Sequence, residues 1–201
     1  MTRFFKFAFI LISVALFAAC GDKNSSTQQT NASAAENIDN LIASKDFDKA
    51  IAALKERPLS DVKAEGMLLK VYVERGDYYV GSGNLESGLH SYWEALNVKS
   101  DFDEARVKIK DSLPQITEQF QADPTNETAK QLLVDTHLNY AIFLEHRANH
   151  LGMKQRMPDA LRHYRRVLEL DPENDKAQAE IAQIEGIYKS LNRAVPEGVA
   201  E

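Results

Sequence analysis

The sequence predicts an all-α fold, a solenoid of stacked helix-turn-helix units closed by a C-terminal capping helix. Three observations carry this. From Glu36 onward apolar residues recur at helical spacing, and no alternating run bounded by turn residues marks a strand. Leu69–Phe102 reads as one complete unit, two amphipathic helices about the turn Gly81-Ser82-Gly83-Asn84. Two junctions, Asp123-Pro124-Thr125-Asn126 leading to Ala129 and Asp171-Pro172-Glu173-Asn174 leading to Ala177, share the pattern D-P-x-N-x-x-A.

The chain opens with Arg3, Lys6 and the apolar run Phe7–Leu16. That run is shorter than the ~20 residues a membrane span needs, so it reads as a secretory signal over residues 1–19. It ends in Phe17-Ala18-Ala19-Cys20-Gly21, where small residues before a cysteine resemble the lipobox of bacterial lipoproteins. The resemblance implies cleavage before Cys20 and acylation of Cys20 with palmitate-type chains, and two or more such chains anchor stably. The resemblance to lipoproteins of two-membrane bacteria further implies, from Gly21 rather than an aspartate directly after the cysteine, the outer membrane, facing the periplasm. Cys20 is the single cysteine, which excludes a disulfide within the chain.

Cleavage would take the formal charge from −6 to −8, because Arg3 and Lys6 leave and no acid does. So acidic a chain has no electrostatic footprint for nucleic acid or an anionic lipid surface. Asp22–Ala35 is small and polar and completes a flexible tether over 20–35, spanning roughly 20 Å.

The helical domain is expected over 36–191. Asn37–Ala43 and Phe47–Lys55 form a short pair, ended at Arg57-Pro58. Asp61–Val80 and Leu85–Val98 flank the glycine turn. Asp103–Ser112 and Pro114–Ala122 follow as two short helices, with Pro114 placed at a first helical position. A long helix is expected from Glu127 to Leu151, a helix from Asp159 to Leu170, and a cap over Asp175–Leu191. The repeats then run about 37–57, 61–100, 101–124 and 125–172, with the cap at 174–191 and a frayed, disordered tail at 192–201.

Tyr72-Val-Glu-Arg-Gly76-Asp-Tyr-Tyr79 in the first helix, with Gly88, Tyr92 and Ala95 in the return helix, resembles the tetratricopeptide repeat, about 34 residues of helix-turn-helix. Ala160, Tyr164 and Val167, ending at Asp171-Pro172, repeat the return-helix offsets. In such repeats the first helix of each unit lines a concave surface that takes a peptide or helix. Carried to this chain, that face comprises Lys70, Val73, Glu74 and Asp77, then Glu104, Val107, Lys108 and Asp111, then Ile142, Glu145, His146 and Asn149. Its mixed, rather acidic character suits an extended or helical partner segment with basic residues.

For chemistry the sequence offers little. His146 and His150 stand four apart, the spacing of two zinc-binding histidines on one helix face, but His-Arg-Ala-Asn-His lacks the glutamate of H-E-x-x-H. His137 lies about half a turn round the helix from them. No phosphate loop and no G-x-S-x-G are present, and the lone cysteine belongs to the anchor. The expectation is a non-catalytic, lipid-anchored scaffold without cofactor that binds a protein partner in the bacterial envelope. Two alternatives are a metal-dependent protein using the His146/His150 face and a self-associating structural lipoprotein.

Overall fold

The computed structural model describes residues 37–58 and 60–197. The expected signal at 1–19, Cys20, the 20–35 tether and residues 198–201 of the tail lie outside the described residues. Among the described residues the chain is all helical: α1 (37–43), α2 (Phe47–Lys55), α3 (Val62–Gly81), α4 (Leu85–Val98), α5 (Asp103–Ala122), α6 (Glu127–His146), α7 (Met153–Leu170) and α8 (Asp175–Ser190). From α2 onward each helix packs on the next in the chain, the order of a helical solenoid, and α3–α4 and α6–α7 are the closest hairpins.

The helix starts follow local chemistry. Asp61, Asn84, Asn126 and Asn174 each accept a hydrogen bond from the backbone N–H three residues on, at 3.0–3.1 Å. At both D-P-x-N-x-x-A junctions the asparagine caps the amide of the alanine that ends the motif. The α3–α4 turn reverses at Gly83, which takes the left-handed conformation (φ +84°) common just past a helix end.

Gly76 and Gly88 set the spacing of that hairpin. A Cβ on Gly76 would lie 2.2 Å from the Tyr92 ring, and one on Gly88 would lie 2.5 Å from Val80. The Tyr92 hydroxyl donates to Asp77 at 2.7 Å. The second hairpin repeats the device: Tyr164 donates to Glu145 at 2.8 Å. Tyr72, Tyr92, Ala95, Ala160 and Tyr164 are buried, Tyr79 is half-buried and Pro172 is exposed.

Alternate helices also meet, which arranges the stack in two layers. Lys70 of α3 reaches Asp39 of α1 at 3.5 Å, and Lys108 of α5 reaches Asp77 of α3 at 2.8 Å. In the other layer Trp93 of α4 meets Phe143 of α6 edge-on, and Arg147 after α6 donates to the Leu96 carbonyl at 2.6 Å. Gln183 of α8 donates to Glu145 of α6 at 3.4 Å.

Four boundaries differ from the sequence expectation. Residues 103–122 form one helix through Pro114, not two, because Ala105, Ile109, Ser112, Leu113 and Ile116 keep one buried face across the proline. Ser112 and Thr117 hydroxyls bond back to carbonyls one turn earlier on either side of it. The long helix stops at His146 rather than Leu151; its capping residue Arg147 is held by the end of α4. α7 starts at Met153, not Asp159, and carries Pro158 inside, with Arg156 fixing the added turn by donating to the carbonyls of Leu144 and Glu145. The tail does not fray at Asn192. Arg165 donates to the Pro196 and Glu197 carbonyls at 2.9 and 2.6 Å, and Val195 packs on the core.

Two glycines of α3 should respond in opposite directions. Gly76→Ala should destabilise by about 1–3 kcal/mol through the clash with Tyr92. Gly66 is exposed, with nothing within 4 Å of its absent Cβ. Gly66→Ala should therefore stabilise by about 0.5–1 kcal/mol. Urea unfolding of the two variants checks the pair, and a neutral Gly76→Ala would show that the hairpin is not set by this contact.

Candidate functional site

A groove of about 680 Å³ opens between α5 and α7, with α6 beneath it. Lys110, Asp111, Pro114 and Glu118 form the α5 side, and Arg162, Arg166 and Glu169 form the α7 side. The helical phase of each wall explains the lining. On α7, Ala160, Leu161, Tyr164 and Val167 are buried, which leaves Arg162, Arg166 and Glu169 at the rim of the core. On α5 the buried face passes through Leu113, and Pro114 follows it at the surface.

His137 of α6 and His163 of α7 line the same groove. Their Nδ1 atoms are 2.8 Å apart, so one ring donates and the other accepts. That bond requires at least one of the two to be neutral. Burial, then Arg166 and Arg162, hold His137 down to about 4. Burial, then His137, Arg162 and Lys110, hold His163 down to about 3. Glu169 pulls His137 the other way. Tyr140 packs edge-on to His163 at 4.9 Å and accepts a hydrogen bond from Arg106. The Nε2 of His163 is buried without a hydrogen-bond partner. On α7, Arg162 pairs with Asp159 at 3.4 Å and Arg166 pairs with Glu169.

The surface expected from the sequence is not assembled as one face. Lys70 pairs with Asp39, Val73 is buried, Glu74 is half-buried, and Asp77 is engaged by both Tyr92 and Lys108. Glu104 and Val107 are exposed, Lys108 holds Asp77, and Asp111 alone of the twelve lines the groove. Ile142 packs on the core, Glu145 is buried, His146 is exposed, and Asn149 lies in the α6–α7 turn. The α6 residues sit in the layer of α4, not that of α3 and α5. His146 and His150 do not share a helix face either, since α6 ends at His146 and His150 falls in the turn.

The histidine pair and the α7 arginines were not singled out as a site by sequence. One signal was present: His163 stands three after Ala160 and four before Val167, on the buried arc of α7, where a lone histidine needs a polar partner. No described helix is long and apolar enough to cross a membrane. No family model matches the chain, and no curated protein or solved structure is significantly similar to it.

The histidines make stability depend on pH in a definite direction. Their folded-state values lie below the ordinary 6.5, so below pH 6.5 the unfolded chain binds protons that the native pair refuses. Stability is full above pH 6.5 and falls towards pH 4, by up to about 1.4 kcal/mol per pH unit for each histidine. Replacing both rings by phenylalanine should flatten the urea-midpoint profile between pH 6.5 and 4 relative to the native chain. Parallel profiles for the two proteins would show that the rings are not held neutral.

Proposed function

We propose that this protein is a non-catalytic helical scaffold of tetratricopeptide-repeat character, anchored by lipid at Cys20 to the periplasmic face of the bacterial envelope. It holds a segment of a protein partner in the α5–α7 groove. The observation that carries the reading is the groove itself: about 680 Å³, long-walled, and lined by charges of both signs. Asp111 and Glu118 stand with Lys110 on the α5 wall, and Arg162 and Arg166 stand with Glu169 on the α7 wall. The segment that complements this carries a basic side chain for the first pair and an acidic one for the second. The arginines are already paired along their own helix, but such partly exposed pairs contribute only about 0–1 kcal/mol and exchange readily for a partner's carboxylate.

The acids Asp77 and Glu145 are poor places to probe binding, because reversing either would break a tyrosine hydrogen bond inside a hairpin. Arg162→Glu/Arg166→Glu is the better variant. With crosslinking in intact membranes and partner identification by mass spectrometry, the double variant should lose most of the crosslink while keeping the native circular dichroism. An undiminished crosslink would place the partner on another surface.

The anchor is tested separately. Cys20→Ala should move the protein from the membrane pellet to the soluble fraction, and a variant that stays fully in the pellet would refute lipid attachment.

A further inference from the structure

At the C-terminal end of α6, three side chains converge from two helices. Glu145 and His146 end α6, and Glu180 stands one turn into α8. One potential ligand atom from each lies within 4.8 Å of the others, and His146 Nε2 is 3.7 Å from Glu145 Oε2. The two carboxylates are not surface acids: their side chains are 4% and 9% exposed. His146 is about half exposed and forms the open side.

The hydrogen bonds around Glu145 fix its orientation. Tyr164 donates to Oε2 at 2.8 Å and Gln183 donates to Oε1 at 3.4 Å, so both oxygens accept. Burial, the bond to Glu145 and the charges of Glu145 and Glu180 push the Tyr164 phenol up, so it remains the donor. Each carboxylate oxygen can still offer a second lone pair. Glu180 is paired on one oxygen with Lys176, whose side chain is more than half exposed and can swing to solvent.

Two carboxylates buried this close together are favoured by a cation between or beside them. A half-exposed lysine meets that need partly. A divalent ion meets it fully, because it bridges both acids and uses the imidazole. We propose that Glu145, His146 and Glu180 form a binding site for a transition-type divalent cation, zinc in the first instance, that fastens the capping helix α8 to the α6–α7 hairpin. Ligands about 2.0–2.2 Å from a tetrahedral zinc stand roughly 3.4 Å apart, so the observed separations close with small side-chain shifts. One imidazole with two carboxylates suits zinc or manganese; calcium wants six to eight oxygens and magnesium an octahedral oxygen shell. Tyr164 and Gln183 act as outer partners that aim Glu145 at the ion. This site is distinct from the His146/His150 spacing seen in the sequence, since His150 has no part in it.

The test uses the full chain, purified in detergent and stripped with a chelator. Zinc titration against a chromophoric competitor should show one equivalent bound, with a rise in Tm that calcium and magnesium do not reproduce. Glu180→Gln and His146→Ala should each weaken zinc binding at least about tenfold, whereas His150→Ala should leave it unchanged. Circular dichroism of the metal-free Glu180→Gln protein separates lost binding from lost folding. Absence of zinc binding above competitor background in the native chain would overturn the proposal. So would binding that survives both variants or that His150→Ala abolishes.

Discussion

The arrangement of this molecule depends on α5 staying a single helix through Pro114. A proline in a helix interior costs about 3 kcal/mol or more in lost hydrogen bonding and ring clash. Against that stand Ile109, Leu113 and Ile116, all buried on one face that runs straight past the proline. Each such side chain contributes roughly 1.5–3 kcal/mol on burial, so breaking the helix would cost more than keeping it. The consequence is topological. One helix instead of two shifts every later helix into the opposite layer. α6 therefore stands beside α4, as Trp93–Phe143 and Arg147–Leu96 record, and α7 faces α5. The groove exists because of that shift.

Within the stack, both close hairpins use the same polar device. A buried tyrosine of the second helix reaches an acid of the first, Tyr92 to Asp77 and Tyr164 to Glu145. In each case burial leads, and the acid follows, in pushing the phenol up. The acid's remaining capacity then ties the hairpin to an alternate helix. Asp77 takes Lys108 of α5, and Glu145 takes Gln183 of α8. The hook inside a hairpin and the link between hairpins share one carboxylate, so these acids belong to the architecture.

Much of this was legible in the sequence because it is local. The asparagine caps, the glycine turn, the span of α4 and the close approach at Gly76 follow from side chains within a few residues, or from one helix-turn-helix pattern. The start of α7 was not legible, because Pro158 mimics a boundary and Arg156 overrides it from a distance. The hold of Arg165 on the tail crosses some thirty residues of sequence and leaves no periodic trace. The layer of α6 was misjudged because the repeat signature describes pairs of helices, whereas layer order depends on how many helices precede. That count turned on one proline. The histidine pair was missed because His137 and His163 stand 26 residues apart and nothing local shows that the two rings meet.

The electrostatics of the α3–α5 and α5–α7 junctions then differ in a way that bears on binding. Between α3 and α5, Lys108 and Asp77 meet directly at 2.8 Å, and Asp77 is further held by Tyr92, so the junction is bridged by groups that are also structural. Between α5 and α7 the arginines pair along their own helix with Asp159 and Glu169, and the floor is two histidines kept uncharged. The same cations that depress the histidines make the floor attractive to an anionic group. An acid docked against Arg162 and Arg166 would offset that positive field and lift the histidines toward their ordinary range, so occupancy of the groove and protonation of its floor are coupled in sign. The neutral pair is thus a consequence of burial first and of the arginine rim second, so the groove's charge and its floor have to be understood together.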